Sequence, residues 1–185
     1  SANALICCLQ SARKKGISIA LDINWRPTFW DKNLSPSSGP TKPALLEISG
    51  LFEYISLIKL AREEAIWFFQ NDDPKNISSS LPQKPDVVIT NGSKPLKWFI
   101  AGTSGEMSVI EPSSVVDTTG AGDAFLAGLI YKFLTESDWH SDYLKVQEML
   151  RFAAACGALV CSGAGAIDVQ PTKEEVDKFI ALSMA

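Results

Sequence analysis

Apolar residues along this chain follow two patterns that alternate, short continuous runs and longer stretches with helical spacing. The runs predict strands at Ser18–Asp22, Tyr54–Leu60, Asp86–Thr90, Leu96–Ala101 and Met107–Ile110, with a turn at Gly102–Gly105 between the last two. Helical spacing predicts helices at Ala4–Lys15, Pro43–Phe52, Arg62–Gln70, Ala121–Leu134 and Val146–Cys161, and a last helix that opens with the capping box Thr172–Glu175 and ends near Ser183. This alternation predicts an α/β fold with a largely parallel sheet.

Polar motifs follow three of the predicted elements. They are Asp22–Asn24, Thr90–Gly92 and Gly120–Asp123, and each is expected to leave the carboxyl end of a strand. Ligands of open α/β sheets bind beyond those ends, so we expect the three motifs to meet at one edge of the sheet.

Composition narrows the class of protein. The 185 residues are 46% hydrophobic and 21% charged, which suits one globular domain over residues 1–185. A net charge of −4 argues against a broad nucleic-acid surface, and no apolar run is long enough for a membrane helix. The cysteines Cys7, Cys8, Cys156 and Cys161 lack metal-site spacing, so we expect reduced, mostly buried thiols in a reducing compartment. The single histidine, His140, is expected on the surface.

The segment from Asp117 to Phe125 carries the strongest chemical signal. A turn of small residues, Gly120–Gly122, stands directly before Asp123 and an apolar helix. Backbone N–H groups at a helix N-terminus attract anions, and a carboxylate beside a phosphoryl group is suited to take a proton from an attacking hydroxyl. A first-turn Asp that only complements the helix dipole is the alternative reading.

These nine residues resemble the C-terminal signature of the PfkB, or ribokinase-like, carbohydrate kinases. The resemblance implies a three-layer α/β/α fold and transfer of the γ-phosphoryl group of ATP to a sugar hydroxyl. Gly120, Ala121 and Gly122 would form the anion hole, and Asp123 would be the general base. Asp117 and Thr119 would shape the loop near nucleotide and cation. ATP and Mg²⁺ are the implied cofactors, with K⁺ as a further cation.

The segment that begins at Asp22 is similar to a D-x-N-x-R motif of fructokinase-like members. The resemblance assigns Asp22, Asn24 and Arg26 to substrate or phosphate, because a guanidinium binds anions through its planar fork. A structural loop in which Asp22 caps a turn and pairs with Arg26 is the alternative. Trp25 and Trp30 are expected to pack.

Three further segments resemble nucleotide and metal elements of the family. Glu64 matches a glutamate that organises magnesium through water, although the family's accompanying Asn is Ala61 here. Thr90 and Gly92 match a nucleotide turn, and Gly163 and Gly165 match a loop beside adenine and a monovalent cation. Glu64 also has a structural reading as part of a solvated first helical turn, and close packing would explain Gly163 and Gly165 equally well. Ala154 stands where many members carry an Asn near the nucleotide.

The resemblance covers the C-terminal half of the family, so we expect the chain to be part of a longer kinase domain. Sugar and ATP are the expected partners, with no nucleic acid or membrane, and a homodimer is one arrangement open to it. The cytoplasm or the plastid stroma would suit its thiols. A non-catalytic fructokinase-like scaffold and a nucleoside kinase of the same superfamily remain alternatives.

Overall fold

The computed structural model describes residues 2–140 and 142–183. Its helices and strands follow in the order α1 (Ala2–Lys14), β1 (Ala20–Asp22), α2 (Pro27–Trp30), α3 (Lys42–Ser49), β2 (Leu57–Ala61), α4 (Arg62–Phe69), α5 (Pro74–Ser80), β3 (Asp86–Asn91), β4 (Lys94–Ile100), β5 (Thr103–Met107), α6 (Ala121–Thr135), α7 (Tyr143–Val160) and α8 (Lys173–Ser183). A short 3₁₀ helix, Phe52–Tyr54, precedes β2.

The five strands form one sheet in sequence order, β1-β2-β3-β4-β5. The first three strands are parallel, with Leu21 opposite Ile58 and Ile58 opposite Val87. Two-residue connections then lead into β4 and β5, and strands joined so tightly run antiparallel. The predicted α/β class and mostly parallel sheet are confirmed.

The hairpin between β4 and β5 differs from the prediction. Its turn is Ala101–Gly102 rather than Gly102–Gly105, and both turn residues have positive φ, 48° and 82°. Such a pair matches the right-handed twist of the flanking strands. The strand after the turn spans Thr103–Met107, so Ser108–Ile110, which was predicted as strand, lies outside the sheet.

Contacts divide the chain into two units. One unit comprises the residues up to Gly92 together with Lys97–Gly105, and the other comprises Ser93–Leu96 and the residues from Glu106 onward. In the first unit the core joins the parallel strands to the helix at Arg62–Phe69 and includes the buried residues Phe52, Ile58, Leu60, Ala65, Val87 and Ile89. In the second unit α6 and α7 pack together, with the buried residues Ala124, Phe152, Ala155, Cys156, Val160 and Val176.

Glycines at the contact between α6 and α7 allow the two helices to approach closely. An added Cβ at Gly157 would lie 2.9 Å from the carbonyl oxygen of Ala121, and one at Gly128 would lie 2.8 Å from Sγ of Cys156. Close backbone approach of this kind places the first turn of α6 directly against α7.

The thiols only partly match the prediction of burial. Cys156 is buried, and burial raises the pKa of its thiol to about 11. Cys161 is half-buried, whereas Cys7 and Cys8 are exposed, as are most residues of α1. His140 is exposed as predicted and stacks on Trp139 with 4.0 Å between ring centres. No helix within residues 2–140 and 142–183 is long and apolar enough to cross a bilayer.

Candidate functional site

The turn that precedes α6 takes a conformation that suits glycine. Gly120 is the N-cap of α6 with φ +82°, in the left-handed region. An added Cβ there would lie 2.7 Å from Cβ of Ala166, so a side chain at this position would meet the loop that follows α7. Glycine at position 120 is therefore favoured by both backbone conformation and space.

Asp123 lies in the first turn of α6 and is exposed. The N–H groups of a first helical turn have no partner within the helix. Among those at the start of α6, the Ala121 N–H donates to the carbonyl oxygen of Thr118 at 3.2 Å. The first turn thus presents the combination that anion binding with a neighbouring base requires, backbone donors and a solvent-accessible carboxylate.

Asp117 connects the turn to a second loop. One carboxylate oxygen accepts from the Thr119 N–H at 2.9 Å and from its hydroxyl at 2.7 Å. The other accepts from the Gly165 N–H at 3.1 Å. The hydrogen bond from the Thr119 hydroxyl, with backbone N–H bonds in support, holds the pKa of Asp117 below its ordinary value. Four of the predicted residues, Asp117, Thr119, Gly120 and Gly165, therefore lie together.

Gly163 lies in the same loop and packs against Val169. A Cβ at this position would lie 2.3 Å from Cγ1 of Val169, so close packing explains this glycine. Gly165 has φ +82°, and an added Cβ there would meet nothing within 4 Å. Its backbone conformation alone therefore favours glycine. Ala154 is buried within α7.

One expectation about the turn was wrong. Gly120–Asp123 does not follow a strand, because residues 108–119 carry no regular structure. The segment is attached instead to the residue that follows α7, since the Val116 N–H donates to the carbonyl oxygen of Cys161 at 2.8 Å. The segment contains Pro112, which cannot donate a ladder hydrogen bond. That the turn lies at the same sheet edge as the other two motifs stays a prediction.

The first unit contains the other motifs, at the carboxyl ends of its parallel strands. Asp22 ends β1, and Thr90 lies near the end of β3 with its hydroxyl donating to the carbonyl oxygen of Leu60 at 3.3 Å. Gly92, with φ +58°, begins the two-residue turn into β4. Nothing lies within 4 Å of the position of a Cβ at Gly92, which leaves its backbone open to approach.

The ion pair of Asp22 was not predicted. Its Oδ2 pairs with Nζ of Lys59 at 2.9 Å, and both side chains are almost fully buried. Arg26, the partner suggested by the sequence, instead donates to the carbonyl oxygen of Trp25 at 3.0 Å. Lys59 lies in the apolar run of β2, and the sequence analysis gave it no function. A lysine inside a buried strand needs a partner of opposite charge, and this need was the signal that could have indicated the ion pair.

Glu64 is buried rather than solvated, with 5% of its surface exposed. Its Oε1 accepts from the Trp25 N–H at 2.6 Å and its Oε2 accepts from the Ala61 N–H at 2.7 Å. Burial raises the pKa of Glu64, and the two backbone hydrogen bonds oppose that shift. The plain reading of a solvated first turn is therefore wrong for this residue.

Comparison with known proteins adds the family. The model of the pfkB family carbohydrate kinases matches residues 1–173. The chain belongs to this family. It is 32% identical over 182 residues to a probable chloroplastic fructokinase-6 of Arabidopsis thaliana, covering 96% of this chain and 45% of that relative. The chain thus spans about half the length of the curated relatives that it matches.

Solved structures of two fructokinases show the same fold. A fructokinase of Xylella fastidiosa with bound ATP superimposes with a TM-score of 0.81 at 24% identity, covering 100% of this chain and 58% of that one. A fructokinase double mutant of Vibrio cholerae O395 with fructose, ADP and potassium ion gives 0.78 at 22% identity, covering 96% and 55%. These likenesses confirm the ribokinase-like fold.

Proposed function

We propose that this chain supplies the phosphoryl-transfer half of an ATP-dependent sugar kinase of the fructokinase type. The observation that carries the proposal is the start of α6, where Gly120 in a left-handed conformation precedes the exposed carboxylate of Asp123. Family membership and the fructokinase relatives support a sugar as the acceptor. The whole protein's substrate and partners belong to this proposal.

The proposed reaction uses few groups of this chain. When bound, ATP supplies the γ-phosphoryl group. Asp123 accepts the proton of the sugar hydroxyl, whose oxygen forms the new bond to phosphorus as the bond to the β–γ bridging oxygen breaks. The N–H groups of Gly120 and Gly122 stabilise the negative charge that develops on the phosphoryl oxygens. The Ala121 N–H joins them by leaving the carbonyl oxygen of Thr118, to which it donates at 3.2 Å.

The residues around the turn fit a phosphate-bearing ligand. The carboxylate of Asp123 is exposed in the first turn of α6, and the hydrogen bond from the Gly165 N–H to Asp117 holds the Gly163–Gly165 loop beside the turn. We assign Asp117, Thr119, Gly163 and Gly165, together with Thr90 and Gly92, to the nucleotide and to a monovalent cation such as K⁺. We assign Asp22, Asn24 and Arg26 to the substrate or its phosphate.

Magnesium fits the described residues less well. Within residues 2–140 and 142–183 no group of three or more His, Cys, Asp or Glu side chains is placed to hold a metal ion. Each oxygen of Glu64 already accepts one backbone hydrogen bond, which leaves a lone pair on each oxygen for a magnesium-bound water. We therefore assign Glu64 to Mg²⁺ through water, and the ion would supply its charge to the phosphates of ATP.

The test is release of ADP from MgATP with fructose, ribose and adenosine as acceptors. The comparison is between the chain, its Asp123→Asn variant and the control Asp138→Asn, which alters an exposed carboxylate in the α6–α7 connection. We expect turnover with a sugar, a loss of about 10²–10⁴-fold in Asp123→Asn and no change in the control. Faster turnover of adenosine would favour a nucleoside kinase. Absence of turnover with every acceptor, or full activity of Asp123→Asn, would contradict the proposal.

A further inference from the structure

Glu64 lies between two segments of the first unit and is hydrogen-bonded to the backbone of both. Its position at the start of α4 places one oxygen on the N–H of Ala61, at the end of β2. The other oxygen receives the N–H of Trp25, a residue 39 positions earlier in the chain. Hydrogen bonds from N–H groups to a buried carboxylate are among the stronger ones in proteins. The carboxylate therefore fastens the segment after β1 to the end of β2.

Two further features shape the fastened segment. The strand β1 ends at Asp22, and Asn24 then takes a left-handed conformation with φ 46°. The indole N–H of Trp25 donates to the carbonyl oxygen of Ser38 at 2.8 Å, which orients the ring rather than the backbone. Because Trp25 directly precedes Arg26, the backbone bond to Glu64 determines where the Arg26 side chain begins.

The neighbouring ion pair fixes the start of the same segment. Lys59 on β2 neutralises Asp22 at the end of β1, and the Ile23 N–H donates to the carbonyl oxygen of Lys59 at 3.5 Å. The other Asp22 oxygen, Oδ1, is buried without a hydrogen-bond partner. Residues 22–25 are thus held at both ends by buried charged side chains of β2 and α4.

We propose that Glu64 is a positioning residue that presents Asn24 and Arg26 through the backbone of Trp25. This inference rests on the proposed function, in which Arg26 contacts the substrate or its phosphate. It gives the carboxylate a task in addition to a water-mediated contact with magnesium, because each of its oxygens accepts a backbone N–H. Lys59 assists by keeping Asp22 paired and the strand end in place.

The first experiment needs no catalytic activity. Amide exchange by NMR is compared among the chain, Glu64→Gln and the matched control Glu63→Gln, which alters the adjacent, exposed carboxylate of the same helical turn. A glutamine keeps one acceptor but turns an NH₂ toward the other backbone N–H. We expect exchange at Trp25 or Ala61 to accelerate about tenfold or more in Glu64→Gln, because a hydrogen bond to a charged group is lost, and no change in the control. Unchanged protection at both amides would overturn the proposal.

A second measurement on the unaltered chain guards against a variant that fails to fold. A scalar coupling across the hydrogen bond from the Trp25 N–H to the Glu64 carboxyl carbon reports the contact directly. Its detection supports the proposal, and its absence, while the couplings of helical hydrogen bonds are seen, overturns it.

Turnover separates positioning from metal binding. We expect Glu64→Gln and Arg26→Gln each to raise KM, and the double variant to be no worse than Arg26→Gln alone, because both changes remove the same interaction. Additive effects, or a higher Mg²⁺ requirement with KM unchanged, would overturn the proposal. Should the chain show no turnover, the proposed function fails while the two NMR measurements still decide the role of Glu64.

Discussion

Replacement of Gly120 by alanine tests whether the turn before α6 is set by backbone conformation, by space, or by both. At φ +82° an alanine costs roughly 1–2 kcal/mol relative to an ordinary conformation. The added Cβ would also lie 2.7 Å from Cβ of Ala166 and 3.1 Å from its Cα. Overpacking of this kind costs about 1–3 kcal/mol. We expect Gly120→Ala to lower the free energy of unfolding of the second unit by about 2–5 kcal/mol.

Gly165 provides a matched control in the same unit. It has the same φ, +82°, but a Cβ there would meet nothing within 4 Å. Gly165→Ala should therefore show only the conformational cost, about 1–2 kcal/mol. The assay is urea unfolding followed by far-UV circular dichroism, with amide exchange in α6 and α7 to report the second unit separately.

A rescue variant isolates the contact with Ala166. The change Ala166→Gly removes the Cβ at 2.7 Å but leaves the Cα at 3.1 Å, so it should recover part of the loss in Gly120→Ala. The reasoning is refuted if Gly120→Ala and Gly165→Ala differ by less than about 0.5 kcal/mol, the usual error of additivity. It is also refuted if Ala166→Gly restores nothing.

Three further predictions follow from local contacts. The pKa of Asp117 is held below its ordinary value of 3.8, so its contribution to stability is present above that value and is lost as the pH falls through the lowered pKa. The Asp117→Asn variant should therefore lose less stability on acidification than the unaltered chain, as measured by an acid titration followed by circular dichroism. Ala61 is the N-cap of α4 and its side chain offers no acceptor, so Ala61→Asn should raise the free energy of unfolding by about 1 kcal/mol in urea, and a loss of stability would contradict this. Mass spectrometry after brief alkylation of the folded chain should find label on Cys7 and Cys8, while Cys156, buried and with a pKa of about 11, should react only in denaturant; early label on Cys156 would contradict this.

Apolar patterning was sufficient for most of the fold. The helix predicted at Ala121–Leu134 spans Ala121–Thr135, and the capping box at Thr172 is formed, since Glu175 accepts from the Thr172 N–H at 2.7 Å. The hairpin turn at Ala101 was missed because alanine rarely takes a positive φ and so gives no turn signal. The exposure of Cys7 and Cys8 on α1 was missed because the apolar pattern of this helix does not reveal how much of it other elements cover.

The candidate site could be predicted from the sequence only where residues lie close together along the chain. The segment Asp117–Asp123 is contiguous, so its pattern was visible. The pairing of Asp22 with Lys59 depends on the register of two parallel strands, and the bond from Trp25 to Glu64 depends on the packing of a loop. Neither can be deduced from spacing, since both join residues more than 35 positions apart.

The bond between Asp117 and Gly165 has a consequence for the order in which the second unit forms during folding. The two residues are 48 positions apart, so their contact requires closure of a long loop, whereas α6 and α7 can each form locally within microseconds. The turn before α6 can reach its final shape only after α7 has folded back and the 163–166 loop is in place. Residues 117–120, which open the segment with the clearest sequence signal, are therefore expected to be among the last parts of this unit to be assembled.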